Sequence, residues 1–555
     1  MPPAVALVTA ITTAITSAVT AASAAFTAIG GFSGIVGFLS SPFGALVLGI
    51  GLQLISSLFI KRPSGSEPSI EAAKINVRVG EPERWIAAGT QVRIGGGALF
   101  GEFDADGNFW YLIVHCDSIL GNVKQYYFDN IPIDFFTNNE NAVVTNEFCL
   151  RNGNTIPPSA NVPEGDKRHF YRVYTTTYTE NNPIPPVVQE FADKFPGIWT
   201  NEHLLVGTTY SLVMVRPIAS TDRYKVMRWR GPMGLGEPAL AIVGEWSTMY
   251  DPRDVTQTLG DRTTYKPSRN PALIWAWFRT HPFGRGKSEA SINWEKVGEM
   301  ADICDQQING LEGVEARYQC DIAIPESIER STAEQQILMA CDAQLVFDND
   351  GKVWPRVGYY YATGLRLSRN RDVVGMKSIE ANNGEAITQG VIVRYIEPES
   401  GYQTHSAPPY KSPIYYVEGE NPQYIVVDAL AIQSSRQAQA LAKSLSRRSQ
   451  PEHKILPTVG LRGLKARQER IVDLNYDNTF AGDYEIVTPT EIDSFGAFTG
   501  FGAVPIDPDA FDLLPGEEKP RVIPVNTQTD YIPALPVLLT NGVQNNQIVI
   551  TFEPP

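Results

Sequence analysis

The chain has 555 residues and a mass of 61.1 kDa; at about 100–200 residues per domain, three or four domains are expected. Hydrophobic residues make up 43% and charged residues 19%, enough apolar mass for packed cores, which excludes global disorder. A formal net charge of −15 argues against sequence-tolerant nucleic-acid binding, because an acidic surface repels phosphate backbones.

Residues 1–60 contain no Asp, Glu, Lys, Arg or His, and the run ends at Lys61-Arg62-Pro63. A secretory signal peptide is excluded, since nothing basic precedes the apolar stretch and the stretch is far too long. Two readings remain open. A pair of transmembrane helices of ~20 residues each fits the length, with Pro42 between them and Lys61 and Arg62 as anchors. A helical hairpin buried inside an assembly also fits, because Gly30, Gly34 and many small residues permit close backbone approach. Under either reading Phe26, Gly30, Gly34, Phe38, Leu46, Leu48, Leu52 and Leu58 are the candidate lumen- or membrane-facing residues.

From Ser64 the texture changes. INVRVG, QVRIGG, FWYLIVHC and QYYFDN read as strands at period two, separated by turn signals such as Asp106-Gly107 and Gly121-Asn122. The stretch 138–237 is loop-rich, with Pro157-Pro158 and Pro183 to Pro186, and reads as an insertion into the first β domain. NPALIWAWFRT then reads as a buried helix, and INWEKVGEMADICDQ sets Trp294, Val297, Ala301 and Cys304 on one helical face. A third helix opens with Ser331 and Glu334 spaced as a capping box and buries Ile337, Leu338 and Cys341. The hairpin AQLVFDNDGKVWPRVG follows, turning at Asp350-Gly351.

Strands return from Asp372 to about Thr488, interrupted by one helix near 434–448 with Ala438, Leu441 and Leu445 facing inward. Residues 494–536 are Gly- and Pro-rich and read as a long arm, and two short strands follow it. The expected class is α+β, mainly β. The expected division is 1–62 (apolar helical segment), 63–137 with 238–262 (first β domain), and 138–237 (inserted β domain). It continues with 263–371 (helical α/β block), 372–488 (second β domain), 489–536 (arm) and 537–555 (short strands). Trp294, Cys304, Ile337, Leu338, Cys341 and Leu441 are the candidate structural core of the helical parts.

Chemical motifs are sparse. Gly286-Lys287-Ser288 lacks the glycine of a phosphate loop five positions earlier, where His281 stands, and no strand precedes it. Gly95-Gly96-Gly97 lies between strands and reads as a close-packed turn. Asp104–Asn108 and Asp348–Gly351 resemble calcium loops but lack the closing Glu, so they read as hairpin turns. Five scattered cysteines without a CxxC pair exclude a zinc ribbon or disulfide framework. A Cys304–Cys320 bridge is conceivable, but a reducing cytoplasm favours free thiols. His115 and Cys116 are neighbours in a strand and point to opposite faces. His169, His203, His281, His405 and His453 are isolated, and neither HExxH nor GxSxG occurs. The residues select no catalytic, metal or cofactor site, and the chain reads as a non-enzyme.

Taken in order, these segments resemble a known family. EPERWIAAGTQVRIGGGALFGEFDADGNFWYLIVHCDS and YFDNIPI look like the opening of the tail-tip hub proteins of long-tailed (siphovirus-like) phages, the tip attachment protein J family. NPALIWAWFRTHPFGRG, VGEMADICDQ, EARYQCDIAIPES and ILMACDAQLVFDNDGKVWPRVG follow the family's order of helix, extended segment, helix and hairpin. QAQALAKSLSRRSQPEHKILPTVGLRGLKARQERIVDL looks like its next helix, barrel strand and turn. The resemblance spans roughly residues 74–487. It implies a homotrimer in which each subunit supplies two tail-tube-like β-barrel domains around a hub block, so that three subunits mimic a six-fold ring. It further implies virion localisation, DNA contact only in passage, and neighbours among tail-tube-like distal tail, tape-measure, tip and fibre proteins, with the host envelope in reach. PALPVLLTNGVQNNQIVITFEPP resembles the start of a fibronectin-like domain, so a separate chain is expected to carry the receptor-binding fibre. The competing expectations are a tail-associated cell-wall hydrolase, or a membrane-interacting pore or adhesin suggested by residues 1–60.

Overall fold

The computed structural model describes residues 83–128, 131–137, 146–149, 171–177, 184, 186–200, 202–215, 239–362, 364–380, 389–418, 422–449, 451, 453–488, 490–492, 498–521, 537–544 and 547–553. The expected apolar helical segment 1–62, with its candidate residues from Phe26 to Leu58, lies outside them. The first strands are β1 (Trp85–Ile94), β2 (Gly97–Phe103), β3 (Phe109–Cys116), β4 (Leu120–Phe128), β5 (Ile131–Thr137), β6 (Asn146–Cys149) and β7 (Tyr171–Thr177). Helix α1 (Pro186–Lys194), β8 (Thr209–Val215) and β9 (Leu240–Trp246) follow. Then come α2 (Pro271–Thr280), α3 (Trp294–Cys304), β10 (Gln307–Gly310), β11 (Gly313–Ala316), β12 (Ile322–Pro325), α4 (Arg330–Ala340), β13 (Gln344–Phe347) and β14 (Val353–Arg356). The next elements are β15 (Arg366–Ser368), β16 (Val373–Glu380), β17 (Gly390–Glu397), β18 (Gln403–Ser406), β19 (Tyr410–Lys411), β20 (Tyr424–Asp428) and α5 (Ser435–Ser449). The last are β21 (His453–Val459), β22 (Ile471–Asn475), β23 (Ala481–Ile486), β24 (Glu491–Ile492), β25 (Thr499–Gly500), β26 (Ala503–Pro505), β27 (Val537–Gln544) and β28 (Gln547–Glu553). The architecture is α+β and mainly β.

The first sheet has the order β12-β1-β9-β4-β5-β6-β7-β8-β3-β2. It curls, so that Val92 and Ile94 of β1, Tyr111 and Ile113 of β3, Val213 of β8 and Ile242 of β9 share one core. Strand β3 shows why its sequence is apolar throughout. Tyr111 and Ile113 point into that core, whereas Trp110 and Leu112 point to the other face, beneath α1. There Phe191, Phe195 and Trp199 pack edge-on against Phe100, with centroids 5.3, 5.1 and 6.2 Å away. The sheet runs without a break through β6, β7 and β8, so the described strands within 138–237 share the sheet of their flanks.

Helix α2 starts at Pro271 behind Asn270, whose side chain accepts from Ala272 N, a standard start signal. Helix α3 starts likewise at Asn293, which accepts from Lys296 N. The expected capping box at Ser331 and Glu334 does not form. Glu329 occupies the cap without a side-chain bond, and Glu334 is drawn into the core by Trp275 Nε1 (3.0 Å), Arg279 (3.1 Å) and Arg285 (2.6 Å). A buried carboxylate with three charged or N–H partners outweighs a solvent-side cap bond.

The helical core also takes in Val391, Val393 and Tyr395 of β17, Val427 of β20, and Ala438, Leu441 and Ala442 of α5. Residues 390–449 therefore pack with the helical block, although they lie within the span 372–488 expected to form one β domain. The one-sided apolar face of α5 needs this cover. The second sheet has the order β15-β22-β23-β26-β21-β25-β24, with β16 also on β21, around Leu367, Val373, Ile455, Val459, Leu474 and Tyr484. Strands β25 and β26 lie in the stretch expected to be an arm, and residues 506–511 add Ile506, Ala510 and Phe511 to a small core with Ile471. Strands β27 and β28 pair as an antiparallel hairpin.

Candidate functional site

The carboxylates of the two calcium-like loops are already engaged by their own chain. In the loop before β3, Asp104 accepts from Asp106 N (2.9 Å), Asn108 N (2.8 Å), Asn108 Nδ2 (2.9 Å) and Trp110 Nε1 (2.9 Å). Asp348 accepts from Asp350 N, Lys352 N and Asn293 Nδ2 at 2.9, 2.8 and 3.1 Å. Gly107 (φ +80°) and Gly351 (φ +78°) supply the left-handed turn positions. These carboxylates stabilise hairpins and have little left to offer a cation. Asp104→Ala should cost about 1–3 kcal/mol, because it leaves the buried Trp110 indole N–H without an acceptor. Thermal unfolding of the two proteins checks this.

His115 and Ser211 form a hydrogen-bonded pair that the sequence reading did not single out. Nε2 lies 2.8 Å from Ser211 Oγ, Nδ1 lies 2.8 Å from Gly95 O, and Ser211 Oγ lies 2.7 Å from Thr175 Oγ1. With Nδ1 donating to the carbonyl, Nε2 accepts from the serine. The arrangement resembles a nucleophile–base pair, but His115 is 1% and Ser211 0% exposed, so it holds three strands together and reaches no substrate. Burial lowers the His115 pKa to about 4. The unfolded chain then binds a proton that the folded chain refuses between about pH 6.5 and pH 4. Stability is complete above the unfolded value and falls as pH drops through that window. His115→Gln should flatten this slope in denaturation curves recorded across the same range.

The loop at Gly286-Lys287-Ser288 follows the C-terminus of α2, with Lys287 N donating to Arg279 O at 2.9 Å and Ser288 capping a single 3-10 turn. At Gly96 a Cβ would stand 2.4 Å from Ile113 Cγ2 and 2.5 Å from Val114 O, which explains the glycine there. Cys116, Cys304, Cys320 and Cys341 are buried free thiols, so Cys304 and Cys320 are not bridged. Among the described residues no group of three or more His, Cys, Asp or Glu is placed to hold a metal, and no helix is long and apolar enough to cross a membrane.

The densest electrostatic feature is the joint between the helical block and the second sheet. Glu485 of β23 is fully buried and meets Arg447 and Arg448 of α5 (Arg448 Nε at 3.6 Å) and Arg470, whose Nε donates at 3.0 Å. Asp342, just after α4, meets Arg448 and accepts from Ser444 Oγ at 2.7 Å. Arg470 Nη1 also donates to Asp342 O (2.7 Å) and Arg356 O (3.0 Å). Burial pushes the Glu485 carboxyl up, but the pull of Arg448, Arg447 and Arg470 overcomes it and holds the pKa at about 2. Three guanidiniums and two carboxylates from four separate segments thus fasten the joint. The sequence reading missed it, because Arg447-Arg448 at a helix C-terminus looks like an ordinary solvated pair.

A strap of residues 506–521 crosses the same helix. Lys443 Nζ holds Asp509 (3.0 Å), Glu517 (2.8 Å) and Asp512 O (2.9 Å), and Gln439 exchanges two bonds with the Lys519 backbone (2.9 and 2.8 Å). Arg521 ends it, bound to Glu312, Glu397 (3.0 Å) and Glu399 (2.5 Å). Of the candidate core residues, Cys304, Ile337, Cys341 and Leu441 are buried in the helical core, while Trp294 and Leu338 pack half-buried at its margin. Trp294 meets Tyr250 edge-on at 5.1 Å.

Sheet, helical block and second sheet in this order are found elsewhere. A chain in the virion of a native gene transfer agent particle is 12% identical and superposes with a TM-score of 0.51, over 85% of this chain and 95% of that one. The fold is shared. A tail protein from Neisseria meningitidis MC58 (10% identical) and the 43 kDa tail protein of prophage MuSo2 from Shewanella oneidensis (12% identical) each cover 50% of this chain and 77% of their own. Their TM-scores are 0.25, too low to support an inference. No family model and no curated protein matches the sequence.

Proposed function

We propose that this chain is a structural virion protein of a phage tail, and specifically the homotrimeric hub of the tail tip. The observation that carries the proposal is the fold shared with a virion chain along 95% of that chain's length. The ordered family-like segments of the sequence support the narrower placement. In this reading the two sheets flanking the helical block approximate a six-fold ring when three copies assemble, closing the tail tube above and presenting three-fold symmetry below. Distal tail and tape-measure proteins abut it, tip and fibre proteins attach to it, and DNA passes through on opening. The engaged state of Asp104, Asp348, Glu485 and His115 suits a scaffold role. Residues 1–60, free of charge, would be covered at the three-fold axis, since exposure would create an apolar patch beyond what soluble proteins tolerate.

Image reconstruction of intact particles tests this directly. Three copies at the distal end of the tail are expected; a six-copy ring, or absence from the tail, overturns the reading. Cleavage of peptidoglycan or peptide by the purified chain, lost on one polar replacement, would instead establish a hydrolase.

A further inference from the structure

The cations of this acidic chain are not evenly spread. Residues 366–371 and 461–467 carry Arg366, Arg369, Arg371, Arg462, Lys465 and Arg467 with no acidic residue in either stretch. The two stretches are neighbours at one end of the second sheet. Arg371 and Arg462 share the Asp372 carboxylate at 3.0 and 3.4 Å, and Gly460 N donates to Asp372 O. Asp372 is buried beneath them and part-exposed Asp473 pairs with Arg366 at 3.0 Å, so cations outnumber carboxylates on the outward face. Exposed apolar side chains stand among the cations: Leu461 (61%), Val374 (65%) and Leu464.

A second face has the opposite character. Along α3 and its end, Glu295, Glu299, Asp302 and Asp305 are exposed; Lys296 pairs with Glu299 and Arg253 with Asp302 and Asp305, and the charges of loop 250–266 itself balance, so the acidic excess lies on α3. Beside them the loop 250–266 is fixed by its own bonds. Arg253 clamps Asp251, Asp302 and Asp305 at 2.8, 3.0 and 2.9 Å, Asp254 accepts from Thr256 N (2.9 Å) and Lys266 (2.7 Å), and Gly260 N donates to Tyr265 Oη at 2.8 Å. This rigid loop holds Val255 98% exposed. A fully exposed valine on a preorganised loop costs little further ordering when it is covered by a partner.

We propose that the cationic end of the second sheet docks on the α3 and 250–266 face of a second copy of this chain. Charge is complementary, and each face carries apolar side chains for the other to cover. The chain's own residues 1–60 are a poorer occupant, having no carboxylate to offer. Nucleic acid is also a poorer occupant, because the ring that could stack on bases, Tyr476, is covered by Arg369 at 5.0 Å. The two faces differ, so the contact is head-to-tail and generates a ring of copies where the rotation closes. The inference rests on the homo-oligomeric reading and specifies its contact.

The test is sedimentation velocity of the full chain over a range of protein and salt concentrations. Self-association should weaken as salt rises. Reversing one face (Arg366→Glu, Arg369→Glu, Lys465→Glu and Arg467→Glu together) should raise the apparent Kd more than about tenfold. Reversing the other (Glu295→Lys and Glu299→Lys) should do the same, and combining both sets should restore association to within about threefold. All these side chains are exposed or half-exposed, and circular dichroism confirms folding of each variant. Self-association that neither reversal weakens, or that the combined variant fails to recover, overturns the proposal. So does binding of a labelled DNA duplex that is lost in the first variant while self-association persists. Particles with three copies but no charge-swap recovery would remove this contact and leave the trimer standing; monomers in particles would remove both.

Discussion

Glu485→Gln should destabilise the joint between the helical block and the second sheet by about 3–5 kcal/mol, the cost of leaving buried charges without their counter-ion. The carboxylate is wholly buried and meets three guanidiniums, so its loss leaves the fully buried Arg470 and the largely buried Arg447 short of a counter-ion. Hydrogen exchange should show new opening in β22, β23 and the end of α5, with β1 to β9 unchanged. Adding Arg470→Met to Glu485→Gln should recover part of the loss, since the pair is then removed together and an apolar stem stays near Phe511. The same group sets an acid limit. Its pKa is lowered to about 2 in the folded chain, so its contribution is full above the unfolded value of about 4.3 and is lost as pH falls from there toward about 2. An acid melt in which the joint opens at the same pH in the Gln variant as in the unaltered chain would contradict this account.

Trp275→Ala should cost about 3–5 kcal/mol, and Ile337→Ala and Leu441→Ala about 2–5 kcal/mol. Trp275 is fully buried at the centre of α2, and its indole N–H donates to Glu334 at 3.0 Å. Truncation opens a cavity and takes away one of the donors that make a buried Glu334 tolerable. Trp294→Ala, at the margin of the same core, should cost less. Urea unfolding followed by fluorescence ranks the four variants, and assembly into particles should decline in the same order.

The helices α2, α3 and α5 were legible from local composition and spacing: an apolar run marks the first, Val297, Ala301 and Cys304 face one way in the second, and Ala438 and Leu441 do so in the third. The hairpin at Asp350-Gly351 was legible from its turn residues. Partnership over long distances was not. Nothing near Val391 or Tyr395 says that β17 covers helix α5 in preference to the second sheet, because burial is a property of the assembled core. The capping box at Ser331 fails for the same reason, since Arg279 and Arg285 lie about fifty positions from Glu334, at separations of 55 and 49. The Glu485 cluster draws on residues 342, 447, 448, 470 and 485, a set with no spacing rule. His115 was seen as a strand residue, but its bond to Ser211 joins positions 96 apart.

The strap's anchors are met in sequence, and that order governs its response to tension. From residue 521 backwards, the Arg521 clasp comes first, the Gln439–Lys519 exchange second, and the Lys443 contacts at Glu517, Asp512 and Asp509 last. A pull on the chain beyond 521 therefore loads one anchor at a time instead of shearing all of them together. The strap should peel in small steps at modest force, while the two sheets, whose strands share load in parallel, stay intact. Salt and acid weaken ionic anchors far more than they weaken apolar packing. The first yielding step in single-molecule stretching from the C-terminal side should accordingly move with ionic strength, and the later rupture of the two sheets should not.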